Sequence, residues 1–519
     1  MSSKVDLWFK HTHVLQYRQF SNSNNSFNVG ATKTTLLIMQ QSFSVLSKTE
    51  GSSSVTSNNN RHISLLSAFM ILTTWSTSSS NVLYPYCFGV LGAFFGPLLM
   101  LLAFFVSWKI TKWTVQAAIA TRSETFGDLG SALLGWYGRI LFEGSQILFQ
   151  QLFLPVAIIL VAGACQSLGG IEKYENDVPT DVSNTADSFG ACNGNIVILF
   201  VLISWGLIQI SRELENVTAI AYVTCILMVI MTLAMVIEAF TVTYPILDAN
   251  STNTINTITT NNKYELFVGQ GNHPERYQWA NVFSAIGTFV YSCLPSCIVV
   301  ETMATLKPSD RVHMGKVVDG SFVAYAVIYL AAGLPLIVQW GGDLPEPVTN
   351  VFDNSFAGVV VKLVLIAGTL LDFVLASTTV NRFVMRWLVP NYNYQLWNVK
   401  NAKIWALYSI PSSLLAVCMA LFIPKLQSLT GLLNSIAGAT LQITAVPLGL
   451  ALTTNVEVIK VLLGDDEEVR KRNKQKYICI AGYGICFTAL IFIAACYDIG
   501  TTNYVAKGNE TFWCDIVGA

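Results

Sequence analysis

The sequence predicts an all-α integral membrane protein of about eleven transmembrane helices, with the first and sixth discontinuous. Three observations predict it. Of 519 residues, 53% are hydrophobic and 12% charged, whereas soluble domains carry about 25% charged residues. Apolar runs of roughly 20 residues, the length that crosses a bilayer as a helix, recur along the chain. Two of these runs are interrupted by small polar residues and a proline, at Ser78–Phe88 and at Tyr291–Pro295. Irregular backbone at membrane depth survives only where it lines a cavity, so paired interruptions point to a transporter's binding site. A porin-like barrel would show short alternating segments instead.

Residues 1–60 are rich in Ser and Asn, lack a sustained apolar run and read as a disordered cytoplasmic tail. The extreme N-terminus has no apolar core of the kind a cleavable signal peptide needs. A transmembrane domain follows over 61–500. Its spans are expected near 64–88, 91–114, 139–164, 195–211, 217–240, 281–303, 317–340, 354–379, 403–423, 429–452 and 477–497. Residues 501–519 form a short extracytoplasmic tail.

Charge sets the orientation. With the N-terminus in the cytosol, the 30 lysines and arginines all fall on that side except six, namely Lys173, Lys263, Arg276, Lys362, Lys425 and Lys507. An odd number of spans leaves the C-terminus outside. Glycosylation sequons at Asn250 and Asn509 fall on the outer side, while Asn216-Val-Thr falls inside and is silent. Cys165 and Cys192 flank one outer loop and could pair as a disulfide or stay as two thiols. The membrane is the plasma membrane or a vacuolar or lysosomal one. The net charge of −1 carries no basic signal for nucleic acid.

Several segments resemble the eukaryotic amino acid/auxin permease family. Val82-Leu83-Tyr84-Pro85-Tyr86-Cys87-Phe88, then Leu91-Gly92, is similar to its first-span signature. Thr125-Phe126-Gly127-Asp128-Leu129-Gly130, with Leu134-Gly135 and Gly138-Arg139, resembles its loop after span two. Ile286-Gly287-Thr288-Phe289-Val290-Tyr291 and Val299 to Leu306 resemble its sixth span, and Leu429-Thr430-Gly431-Leu432 with Pro447 its tenth. The resemblance covers roughly 62–500. It implies secondary active transport of amino acids by alternating access, coupled to Na+ or H+. The implied fold is of the leucine-transporter type, a 5+5 inverted repeat with an extra C-terminal helix. Where the family has Gly-small-Gly, this chain has Ser78-Ser79-Ser80.

The candidate residues follow from what an amino acid needs. Its carboxylate and ammonium both require partners at low dielectric. An unwound helix offers N–H groups at the start of its second half and carbonyls at the end of its first. Ser79, Ser80, Asn81, Phe289, Tyr291 and Ser292 are the expected substrate contacts. The resemblance implies ion coupling at Ser78 and Thr369, the latter matching the family's helix-8 threonine. Asp372, one turn from Thr369, could carry a proton or help to hold sodium. Lys362 could replace a cation, bind an acidic substrate, or snorkel to the outer interface. Glu143, Glu238 and Glu301 lie near span ends and read as orienting or capping groups. No histidine lies at membrane depth, which argues against a histidine proton relay.

The expected partners are a small-molecule substrate and the lipid bilayer, with no cofactor and no metal beyond a possible Na+. A same-fold transporter of another solute (an indole acid, a polyamine) and a non-transporting amino acid sensor stay open as alternatives. The sequence has no metal-ligand spacing such as HExxH and no nucleophile elbow, so no enzyme is expected.

Overall fold

The computed structural model describes residues 62–77, 79–168, 193–210, 214–241, 279–293, 295–340, 344, 348–352, 355–389, 399–422 and 440–505. The N-terminal segment through Arg61 lies outside the described residues. So do the C-terminal tail beyond Val505, both outer sequons, Cys192, and the first part of the tenth predicted span. Among the described residues every regular element is helical, apart from one isolated bridge between Ile63 and Leu306.

The first predicted span is two helices, α1 (Leu65–Thr77) and α2 (Tyr84–Leu91), joined by a 3-10 turn over Ser79–Val82. The break is shorter than the sequence interruption. Pro85 does not extend it, because a proline is compatible with the first turn of a helix, where no intrahelical N–H bond is lost. Then come α3 (Phe95–Thr121), α4 (Phe126–Leu168), α5 (Asn193–Ile210) and α6 (Leu214–Thr241). The sixth predicted span is also two helices, α7 (Trp279–Tyr291) and α8 (Ser296–Ala304). Three long helices follow: α9 (Met314–Trp340), α10 (Phe356–Leu388) and α11 (Val399–Phe422). A π turn at Thr440–Ala445 leads into α12 (Val446–Leu452). The chain bends by 103° before its next helical piece, and α14 (Glu467–Val505) closes the fold after the short α13 (Val456–Val458).

Seven of these helices are long and apolar enough to cross a membrane, or eight if the bent pair is one span. The first and sixth predicted spans miss that length because each is split. The fourth misses it as well, its apolar helix running over Ile196–Gln209 within α5.

The loop after α3 becomes a helical hairpin. Arg122 caps α3 in the left-handed region, at φ 52°, and the Thr125 hydroxyl accepts from Asp128 N at 3.0 Å to start α4. Gly135, at φ 67°, then turns the chain back on itself. The contacts run antiparallel: Phe126 against Phe142 (ring centroids 4.7 Å apart) and Gly130 against Gly138. A Cβ on Gly130 would sit 2.4 Å from the Gly138 carbonyl oxygen, so only glycine permits the approach.

Elsewhere polar groups fix helix to helix, which matters in lipid because tails compete for apolar contact. Trp108 Nε1 and Lys112 Nζ both reach Asp319 on α9, at 2.6 and 3.0 Å. Gln151 on α4 exchanges two bonds with Ser412 on α11. Ser355 caps α10 by accepting from Gly358 N at 2.9 Å and donates to the buried Glu238 of α6.

Candidate functional site

The two breaks meet in the core. α1 packs against α6 and α9, α2 packs against α7 and α9, and α10 lies against the 3-10 turn. Between them is a buried aromatic cluster. Tyr84 of α2 stacks on Tyr329 of α9 with centroids 3.7 Å apart at 12°. Phe289 of α7 lies 5.2 Å from Tyr84 and 5.8 Å from Phe88. Such ring contacts add to packing where helices touch.

The first break is closed by distant groups. The carbonyls of Leu72 and Ser76, at the end of α1, accept from the hydroxyls of Tyr325 and Tyr329 respectively. Ser80 is buried and its hydroxyl reaches the same Ser76 carbonyl at 3.5 Å. The Ser76 carbonyl is therefore not an open ligand. Asn81 is wholly buried; its amide donates to Thr232 of α6 at 3.3 Å, while its Oδ1 has no hydrogen-bond partner among the described residues. An unsatisfied buried acceptor costs about 1–3 kcal/mol, which marks it as a place where a ligand would help. Thr77 adds a bond to Met228 of α6 at 2.7 Å.

The second break is closed from within. Ser292 uses both its N–H and its hydroxyl on the Thr288 carbonyl, at 3.0 and 2.7 Å. Cys293 N reaches Val290 O, and the Pro295 carbonyl receives Ile298 N and Val299 N as α8 begins. Ser296 Oγ, at the start of α8, is buried and unpartnered.

Tyr329 is where the two breaks converge. Its hydroxyl shares the Ser76 carbonyl with that of Ser80, and its ring stacks on Tyr84, which lies against Phe289 of α7. The structure thus gathers Ser80 and Phe289 of the sequence-expected set around Tyr84 and Tyr329. Thr369 of α10 is wholly buried, and its hydroxyl has no partner among the described residues. Ser79 has described backbone only, as does Tyr291, and Ser78 lies outside the described residues.

Lys362 lies elsewhere. It is 1% exposed, and its ammonium donates to the Phe352 carbonyl at 2.7 Å and the Ser167 carbonyl at 3.3 Å. It does not snorkel to an interface; it ties the end of α4 to the 348–352 turn, because two carbonyls lie closer than solvent. Glu143 is also buried, paired with Arg139 at 3.2 Å. Cys165, near the end of α4, has no disulfide partner among the described residues, and Cys192 lies outside them.

Sequence reasoning missed Tyr325, Tyr329 and Thr232. The tyrosines did leave a signal: two phenols four residues apart in an otherwise apolar span, on one helix face.

Known proteins align with this picture. A family model described as transmembrane amino acid transporter protein matches residues 61–458. Among solved structures the chain is similar to MhsT, crystallised in complex with L-phenylalanine. That likeness has a TM-score of 0.55 at 13% identity, covering 84% of this chain and 99% of the other. At that identity the likeness speaks for the fold. Comparison with curated proteins gives no match.

Proposed function

The chain belongs to the transmembrane amino acid transporter family, and from that premise we propose that it carries an amino acid across its membrane by alternating access at the two helix breaks. The observation that carries this reading is the meeting of both breaks at the stacked Tyr84 and Tyr329 rings, which Ser76 of the first break and Phe289 beside the second both contact. The substrate carboxylate meets the N-terminal end of α2, where the helix dipole favours an anion. Its ammonium meets Asn81 Oδ1, a buried acceptor that otherwise lacks a partner. Phe289, Tyr84 and Phe88 supply the apolar wall for the side chain.

Coupling uses Na+ or H+. The Thr369 hydroxyl is a hard, buried, unpartnered oxygen of the kind that suits sodium. Asp372, one turn along α10 from Thr369, is the group suited to a proton. The charge distribution supports a cytoplasmic N-terminus and an outer C-terminus.

The test is uptake into proteoliposomes with sodium and proton gradients imposed separately and a panel of labelled amino acids. Saturable uptake that follows one gradient supports the reading. No saturable uptake of any amino acid would sink it, and binding without counterflow exchange would make the protein a sensor.

A further inference from the structure

Away from the site, one end of α3 presents a built surface to the bilayer. Its exposed residues run Leu98, Leu102, Phe105 and then Lys109, at helical spacing. Three apolar positions along the lipid-facing side are thus followed by a cation. Lys109 Nζ sits 4.5 Å from the Trp108 ring and 5.8 Å from Phe105. One turn on, Trp113 packs edge-to-face on Tyr477 of α14, with centroids 4.9 Å apart. Lys476, the residue before Tyr477, places its Nζ over the Trp113 ring at 5.6 Å. Trp108 itself is fixed by its bond to Asp319.

The charges here are unequal in their pairing. Lys112 is neutralised by Asp319. Lys109 and Lys476 are both exposed and have no carboxylate partner among the described residues. The acidic run Asp465-Asp466-Glu467-Glu468 lies at the start of α14, where it complements the helix dipole. It stands eight or more residues from Lys476, about 12 Å along the helix, beyond a Debye length of about 8 Å at physiological salt. Arg470, Lys471, Arg472 and Lys474 lie between them.

Two unneutralised ammoniums from different helices, aromatic rings beneath them and an apolar strip leading up to them describe a phospholipid. We propose that Lys109 and Lys476 bind the phosphate of an anionic phospholipid headgroup, whose acyl chain lies along Leu98, Leu102 and Phe105. The rings set the depth, since Trp and Tyr favour the membrane–water boundary. The lysines select for negative charge.

Native mass spectrometry of the full-length protein tests this, with phosphatidylinositol as the probe and phosphatidylcholine as the zwitterionic control. Each lysine near an anionic surface contributes about a factor of five in affinity. Lys476→Gln should therefore weaken phosphatidylinositol retention about fivefold, and Lys109→Gln with Lys476→Gln on the order of 30-fold. The double arginine variant should retain the lipid. Lys400→Gln with Lys403→Gln, which removes two exposed lysines on α11, should leave retention unchanged. Unchanged retention in the Lys109/Lys476 double glutamine variant would overturn the proposal. So would equal loss in the Lys400/Lys403 variant, or soluble glycerophosphoinositol binding as tightly as the lipid.

Discussion

The two helix breaks look alike in sequence and are held in opposite ways. The break after α1 adds to its local bonds, such as Ser80 to Ser76, others from elements about 150 and 250 residues away, from Thr232 on α6 and from Tyr325 and Tyr329 on α9. The break after α7 closes on its own chain, through Ser292 to Thr288 and through the Pro295 carbonyl. Its shape is therefore largely local. The first break instead holds its shape only while α6 and α9 stay in register with α1, so a shift of either helix changes it. Movement in packed interiors passes through such contacts rather than through continuous bending. The first break is thus the part of the site that reads the positions of its neighbours, and the second is the fixed wall.

Mutations can break or sharpen that contrast. Asn81→Ala should have the largest effect. It removes both the bond to Thr232 and the acceptor assigned to the substrate ammonium. A bond to a charged group is worth about 1.5–3 kcal/mol, so kcat/KM for uptake should fall by up to about a hundredfold. Wild-type uptake kinetics at equal protein loading would remove Asn81 from the site. Tyr329→Phe comes next. It keeps the ring on Tyr84 but leaves the Ser76 carbonyl with only the long bond from Ser80. We expect about a tenfold loss of uptake efficiency and a lower Tm in detergent, from the 1–3 kcal/mol, roughly, of a buried acceptor left short. If both readouts stay at wild-type values, α9 does not hold the first break.

Thr369→Val separates the ions. If sodium drives transport, the sodium concentration for half-maximal uptake should rise about fivefold, on the order of one neutral ligand contact. A profile that ignores sodium but follows pH, and flattens in Asp372→Asn, assigns coupling to the proton. Ser292→Ala should have the smallest effect, under about twofold. Its hydroxyl only doubles a bond to its own helix, and such back-bonding contributes little. An effect as large as that of Asn81→Ala would erase the distinction between the two breaks.

Much of this was legible in the chain. The class follows from apolar length, and the place of both breaks follows from Ser78 to Asn81 and from Ser292 to Pro295. These are local properties, since a helix stops where its residues offer competing hydrogen bonds or no N–H. The glycines of the hairpin were visible too, as part of a resemblance, but their reason was not. Gly130 and Gly138 need each other only because Gly135 folds the chain back. Lys362 shows the limit most plainly. Its position in the span left room for it to reach an interface, yet it is buried on the carbonyls of Ser167 and Phe352.

The sequence by itself therefore determined that the protein is a bundle of membrane helices, and that the first and sixth spans break at buried polar residues. Length, hydropathy and helix-breaking residues act within one segment, and a segment carries that information wherever it packs. The tertiary structure alone decided which groups close the first break, that Tyr329 joins it to the second, and that Lys362 faces inward. Those outcomes depend on which helices become neighbours, and a hydrogen bond between residues 76 and 329 exists only once the fold has brought them together.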